Sequence, residues 1–344
     1  MINFGKTWTY DDVLLEPAYT SIISHKHVSL KTKLVGDLWV DSPIIMAPMS
    51  AIHDLDLYIE MIKLGTLPWL HRYITPDEQT TCAMHLVDAG TKIIAIAVST
   101  KENDYKNRIE LCGEYINGKP LVVKIDVANG ASWRSIQTIE NIKKTYPWVY
   151  VFSGNICTKE SALMCINAGA DGLMVGVGPG FSCSTRLQTG IGKGAAHSVF
   201  EIASYVKNNH PGITICADGG FRKAGDFVKA FALGADLCMS GYLFRRGTEY
   251  YGMASNKALC SIGKNNRASE GECIISDINR DTSKIKKDIT DTLDRIKSAF
   301  SYLGCNNIDD LHDAPINIYM TTRAVSLESN VGYSVYQTNT CTER

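Results

Sequence analysis

No CxxC pair, no apolar leader and no run approaching a membrane span occurs in this chain of 344 residues, and its formal net charge is only −1. Each absence narrows the reading. The eleven cysteines are scattered without ladder spacing, which argues against a disulfide framework and against a thiolate metal cage. A transmembrane helix needs about 20 consecutive apolar residues, and none is available. Near-neutrality removes any bulk electrostatic case for nucleic acid or an anionic membrane as partner. The opening Met1-Ile2-Asn3-Phe4-Gly5-Lys6 has no signal-peptide core, so the expectation is a cytoplasmic protein with free thiols, most of them small core residues. His71 and His197 stand alone in the sequence and read as structural.

What the chain does have is eight short apolar runs, at 43–49, 67–70, 93–98, 121–127, 148–152, 172–177, 213–217 and 237–239. Most are continuous and rich in Val and Ile, as parallel strands buried on both faces should be. Helical patterns separate them, at 54–64, 76–89, 102–116, 132–144, 159–168, 197–208 and 224–233. Thr75 is a candidate N-cap, with Pro76 at the first helical position. Strands alternating with helices in this number predict an α/β fold, a (β/α)₈ TIM barrel rather than an open sheet. One internal echo supports repeated βα units. Asn167-Ala168-Gly169-Ala170-Asp171-Gly172 matches Leu233-Gly234-Ala235-Asp236-Leu237, a helix ending at Gly and turning through Ala-Asp into a strand. The expected layout is one barrel domain over 1–344. It has an N-terminal arm (1–42), a barrel core (43–244), a polar loop region with a closing helix at 283–301 (245–328), and a loose tail (329–344).

The chemistry concentrates at strand ends. After the sixth run comes Gly176-Val177-Gly178-Pro179-Gly180-Phe181-Ser182-Cys183-Ser184-Thr185-Arg186. In a barrel, the carboxyl ends of the strands carry the active site. Alternating glycines let backbone groups converge on an ion or phosphate. The spacing is G-x-G-x-G, with no regular helix expected directly after it, so a dinucleotide fingerprint is a poor reading. Cys183 has polar neighbours and a nearby cation, which favour the thiolate and a nucleophilic role. Asp218-Gly219-Gly220 and Ser240-Gly241-Tyr242 end the seventh and eighth runs, where barrels commonly bind phosphate. Asp218 suits a ribose diol; the plainer alternative is a carboxylate capping the next helix. In Asn266-Arg267-Ala268-Ser269-Glu270-Gly271-Glu272, composition alone marks Glu270 as solvated surface.

The stretches 176–186, Asp218-Gly219-Gly220, Tyr251-Gly252-Met253 and 267–271 resemble the IMP dehydrogenase/GMP reductase family. The likeness runs from Asp12-Val13-Leu14-Leu15-Glu16-Pro17 to Ser301-Tyr302-Leu303-Gly304. Within the family the reductase branch is closer. There is no regulatory insertion of about a hundred residues, the segment 251–270 is short for a mobile flap, and Thr185-Arg186, Asp126-Val127-Ala128-Asn129-Gly130 and 267–271 follow the reductase pattern. The resemblance implies NADPH-dependent reductive deamination of GMP to IMP and ammonia. It makes Cys183 the nucleophile on purine C2, with Thr185 and Glu270 as proton relay. Met49, Ser182, Asp218, Gly219, Gly220, Gly241, Tyr242, Gly252, Met253, Ala254, Arg267, Ser269 and Gly271 would hold the purine mononucleotide. Arg72, Asp126, Val127, Ala128, Val177, Gly178, Ser298 and Ser301 fall at cofactor positions. Gly178, Gly180, Cys183 and Arg186 would offer carbonyls to a potassium ion. A homotetramer is implied, with part of the cofactor site borrowed from a neighbour.

Four positions depart from that pattern. Phe181 stands where a phosphate-binding Ser is usual, and Gly241-Tyr242 replaces Gly-Gly. Arg72 replaces Lys, and Ala47-Pro48-Met49-Ser50 replaces Asn-Met-Asp. Phosphate and base recognition are therefore where this chain should differ. The alternatives are oxidation of IMP with NAD, reduction of a related guanine nucleotide such as dGMP, and a non-catalytic nucleotide-binding barrel.

Overall fold

The structure is a computed structural model that describes residues 4–264, 266, 268–322 and 325. Arg267 and the expected tail at 329–344 lie outside the described residues. Thirteen strands follow in chain order: β1 (Val13–Leu15), β2 (Thr32–Val35), β3 (Leu38–Val40), β4 (Ile44–Met46), β5 (Ile94–Val98), β6 (Leu121–Asp126), β7 (Tyr150–Ile156), β8 (Gly172–Val175), β9 (Thr214–Asp218), β10 (Leu237–Ser240), β11 (Gly247–Tyr251), β12 (Cys273–Arg280) and β13 (Ile318–Met320).

Seven of these form one parallel sheet in the order β4-β10-β9-β8-β7-β6-β5. The segment 67–70 joins its two edges. Pro68 bridges Met46 on one side and Leu70 bridges Ile96 on the other. Trp69 N–H donates to Met46 O at 3.2 Å, and Leu70 N–H donates to Ala95 O at 2.9 Å. The result is the expected (β/α)₈ barrel, with its second strand reduced to single bridges. Pro68 supplies no N–H, so a regular ladder cannot form there.

Local chemistry sets the helices. Thr75 and Glu78 make a reciprocal capping box at the start of Pro76–Asp88, with Thr75 N–H on Glu78 Oε2 at 2.8 Å. Asp54, Ser132 and Thr158 cap Leu55–Lys63, Trp133–Thr145 and Lys159–Asn167 with their side chains. The echoed Gly-Ala-Asp turns have a common cause. Asp171 and Asp236 each accept the N–H of the neighbouring strand, from Val151 and Ile215, at 2.7 Å. Each also pairs with a helix lysine, Lys143 at 2.9 Å and Lys207 at 3.1 Å. The same carboxylate device locks the entries of two alternate strands, β8 and β10.

The barrel interior is filled by Ile45, Trp69, Val122, Phe152, Met174, Leu237 and Met239. The antiparallel β2–β3 hairpin plugs the lower end through Leu34, Val35 and Val40. Trp69 and Phe152 meet edge to face at 5.5 Å. A Cβ on Gly172 would lie 2.4 Å from the Phe152 ring, so glycine at that strand start makes room for the aromatic plug. The floor is thus solid, and binding is left to the upper mouth. The N-terminal arm reaches that mouth. Tyr10 stacks on Phe221 at 5.4 Å, while β1 pairs with β13.

Several expectations change. The run at 148–152 sits earlier than its strand, β7. A five-residue helix, Thr185–Thr189, does open just after Cys183. The polar region 245–285 contains an antiparallel ribbon, β11–β12, and the helix Asn256–Ser261. Tyr250, Tyr251, Ile274 and Ile275 carry that ribbon, but the 21 residues between its strands hide it from any hairpin signature. Of the ten described cysteines only Cys112, Cys165, Cys216, Cys238 and Cys305 are buried, so burial is less general than expected.

Removing the plug tests the packing. Phe152→Ala should cost about 3–5 kcal/mol in urea unfolding, the range for large aromatic truncations in a closed core. A loss under about 1 kcal/mol would mean that the interior is not packed as described.

Candidate active site

The cysteine loop leaves β8 through two glycines in left-handed geometry, Gly176 at φ +143° and Gly178 at φ +78°. A Cβ on Gly176 would meet Asp218 O at 2.4 Å. The loop is then clasped by the chain that follows β11. Ser184 N–H donates to Glu270 O at 2.9 Å and Glu272 N–H to Ser182 O at 2.8 Å, with Cys183 and Gly271 bridged antiparallel. Gly271 approaches too closely for a side chain, since a Cβ there would lie 2.9 Å from Ser255 N. This backbone clasp carries Glu270, 87 residues after Cys183, to the nucleophile. Cys183 Sγ lies 3.3 Å from Thr185 Oγ1, and Thr185 Oγ1–H donates to Glu270 Oε2 at 3.3 Å. Sulfur, hydroxyl and carboxylate form one line.

Two cavities meet at Cys183. One, of about 200 Å³, is walled by Met49, Ser182, Asp218, Gly219, Gly220, Gly241 and Tyr242. The other, of about 240 Å³, is walled by Arg72, Asp126, Val127, Ala128, Val177, Thr185, Ala254, Glu270 and Gly271. Cys183, Gly178, Gly252 and Met253 belong to both. The sulfur thus faces two compartments, and the Thr185–Glu270 pair opens on the second. That compartment adjoins a third cavity of about 560 Å³ through Arg72 and Tyr73, with Lys101 and Lys264 along its wall.

Below the sulfur lies a buried charge cluster in which Lys124 and Asn155, which the sequence reading did not single out, join Asp126 and Asp218. Lys124 on β6 is 3% exposed, yet its Nζ sits 3.5 Å from Asp126 Oδ1 and 3.4 Å from Asp218 Oδ2. Burial alone would lower the Lys124 ammonium, but Asp218 and Asp126 outweigh it and hold it above its ordinary value. Burial would raise Asp126; Lys124 and Arg72 outweigh it and hold the carboxyl below its usual range. Asn155 Nδ2 donates to Asp218 Oδ2 and to Gly176 O, both at 2.8 Å. Asp218 therefore does not cap the next helix. Asp226 does, taking the N–H groups of Arg222 and Lys223. The signal for Lys124 was present, a lone charge inside the apolar run 121–127. Asn155 lay just beyond the run at 148–152.

Other expected residues are placed differently. Arg72 is tied to Asp126, with Nε on Oδ2 and Nη2 on the main-chain oxygen, both at 3.1 Å. The Ser269 hydroxyl is turned onto Ala254 O and Gly271 O, shaping the clasp. Met49 and Met253 accept at sulfur from the Tyr250 hydroxyl and from Ser50 N–H. Ser298 and Ser301 lie on the closing helix Thr282–Tyr302 and line neither cavity at Cys183. Two of the four carbonyls named for potassium already accept a main-chain N–H. Gly180 O accepts Cys183 N–H and Arg186 O accepts Gly190 N–H, while the Arg186 guanidinium donates to Val177 O and Lys193 O. His71 is buried, 4.6 Å edge to face from His53, and its Nδ1 accepts Tyr73 N–H. His197 stacks on Trp8 at 3.9 Å.

Comparison with known proteins gives a consistent picture. The IMP dehydrogenase / GMP reductase domain model matches residues 7–332. A GMP reductase of Ligilactobacillus salivarius is 32% identical over 303 residues, covering 86% of this chain and 91% of that protein. A GMP reductase of Ascaris suum is 28% identical over 369 residues, covering 98% of each. An inosine-5'-monophosphate dehydrogenase of Borreliella burgdorferi is 29% identical, covering 88% of this chain and 91% of its own. Identity at this level to proteins of both names does not by itself separate the two activities.

Two measurements probe the buried charges. Lys124→Met strands two carboxylates in the core and should cost about 3–5 kcal/mol at pH 7. A cost below about 1 kcal/mol, the level of an exposed ion pair, would break the assignment. Burial, with His53 next in effect, lowers His71 to about 3. The folded state keeps it neutral, so its contribution is complete above about pH 6.5 and is lost as pH falls below that. His71→Gln should therefore lose less stability than the parent between pH 7 and pH 5 in urea titrations, and an equal loss would show that His71 is not the sensing group.

Proposed function

Within the IMP dehydrogenase/GMP reductase family, to which this chain belongs, we propose that it converts GMP to IMP and ammonia with NADPH, through a covalent bond to Cys183. The carrying observation is the Cys183–Thr185–Glu270 line at the wall between two cavities. The purine and ribose belong in the first cavity, with Asp218 accepting from the sugar hydroxyls. The Cys183 sulfur attacks C2 and forms a C–S bond. The C2–amino bond breaks, and Thr185–Glu270 delivers the proton that lets nitrogen leave as ammonia. The remaining thioimidate accepts a hydride at C2, the C–S bond breaks, and IMP is released.

The second cavity suits the nicotinamide cofactor. Val127, Ala128 and Val177 give it an apolar flank beside Cys183, and it continues past Arg72 and Tyr73 towards Lys101 and Lys264. When bound there, NADPH supplies the hydride. Arg72 spends its charge on Asp126, so the preference for a 2′-phosphate is assigned to the lysine end of the slot. Ser298 and Ser301 can serve the cofactor only from a second copy of the chain, which agrees with the homotetramer that the family resemblance implies. No helix among the described residues is long and apolar enough to cross a membrane, and a cytoplasmic setting goes with the reading.

The direction of reaction is tested by following nicotinamide absorbance with GMP plus NADPH, dGMP plus NADPH, and IMP plus NAD⁺. Turnover is expected with GMP plus NADPH, and Cys183→Ala should abolish it. Glu270→Gln should lower it about 10²- to 10⁴-fold, the span of general acid–base catalysis. Turnover only with IMP plus NAD⁺ would replace the proposal with the dehydrogenase reading.

A further inference from the structure

The loops after β9 and β10 bring Gly219, Gly220 and Gly241 together, the place where a barrel commonly holds a phosphate. Here that place is roofed by aromatic rings. Phe181 and Tyr242 have centroids 4.0 Å apart, and the Arg245 guanidinium covers Tyr242 at 3.9 Å. Tyr242 and Phe221 are at once the end wall of the 200 Å³ cavity and part of the wall of a much larger one, about 860 Å³. The smaller space falls below the roughly 300–1,000 Å³ usual for a small-molecule site. The larger space adjoins it across the Tyr242 and Phe221 rings.

The larger cavity is basic although the chain as a whole is slightly acidic. Arg245 and Arg295 face it, and neither has a carboxylate within 4.0 Å among the described residues. The acids on the same wall are already engaged. Asp288 is shared by Arg280 and Lys284, and Asp291 pairs with Lys287. Arginine forks without acidic partners, next to the phosphate end of a nucleotide site, match phosphate oxygens.

We propose that the basic cavity is a subsite for the distal phosphates of the substrate, so that the chain takes a guanosine 5′-di- or triphosphate in preference to the monophosphate. The α-phosphate rests at Gly219, Gly220 and Gly241. The following phosphates pass the Tyr242 ring to Arg245 and Arg295. This rests on the functional reading above and concerns the same site.

Calorimetric titration of the full chain with guanosine, GMP, GDP and GTP tests it without turnover. GDP and GTP should bind about tenfold more tightly than GMP, which corresponds to about 1.4 kcal/mol. Binding should be one per chain and should displace guanosine. Arg295→Ala should remove most of that advantage while leaving GMP unchanged, and Lys284→Ala should reduce it less. GMP binding within about threefold of GDP would overturn the proposal, as would guanosine binding as tightly as GDP, or GDP binding alongside guanosine. An equal loss for all four ligands in Arg295→Ala would also overturn it. A failure of all four to bind the parent chain would instead strike the functional reading itself.

Discussion

The site depends on a short piece of backbone pairing between the cysteine loop and the chain around Gly271. Three contacts make it: Ser184 N–H to Glu270 O, Glu272 N–H to Ser182 O, and the Cys183–Gly271 bridge. These are strand-like bonds between two segments that are not themselves strands. They hold the sulfur between two cavities and place a carboxylate behind Thr185 from far along the chain. Side-chain contacts alone would leave the two loops free to part, because the cysteine loop is rich in glycine. The clasp also explains why Ser269 spends its hydroxyl on backbone oxygens. It stiffens the turn that presents Glu270.

Beneath the clasp, a different constraint fixes the floor. Lys124, Asp126, Asp218 and Asn155 form a buried polar group inside a barrel otherwise filled with aliphatic and aromatic side chains. Lys124 and Arg72 together balance the two carboxylates, which makes the burial of the cluster tolerable. Arg72 closes the outer side of Asp126, so the carboxylate is oriented from two directions. Asp218 is held by Lys124 and Asn155 with its backbone at the end of β9. A ribose meeting it finds an acceptor whose direction is already set. The order of the site thus comes from below through charge and from above through backbone pairing.

Much of the barrel was legible because its signals are local. Val- and Ile-rich runs mark β5 and β6, capping residues mark helix starts, and the Gly-Ala-Asp turns repeat. What was not legible is non-local. The 67–70 run has strand composition, but its pairing is decided by the edges it must join and by Pro68. The β11–β12 ribbon is separated by a helix and a loop, so no turn motif announces it. Cys183 stood out from its neighbours, whereas Glu270 was marked by resemblance alone, since composition cannot reveal a carboxylate delivered by pairing with a distant loop. Lys124 was visible as a charge in an apolar run, but its meaning depends on Asp126 and Asp218, which only the closed barrel sets around it. Ser298 and Ser301 show the opposite case: motif positions that one chain does not bring to its own site.

The two ends of the first cavity are built by different means, and this explains how they can diverge. At the sulfur end, geometry is fixed by main-chain bonds and by glycines whose missing side chains are required by close approach, as at Gly176 and Gly271. Substitution there disturbs the clasp and everything that hangs from it. At the Gly241 end, the enclosing groups are side chains on loop tips, Phe181 and Tyr242 with Arg245 laid over the stack. Phe181 is 42% exposed, so a change there costs little packing. Loop-tip side chains can be exchanged without moving the strands that carry Cys183 and Asp218. A barrel built this way can keep the geometry around Cys183 at one end of the cavity while the side chains that enclose the other end change.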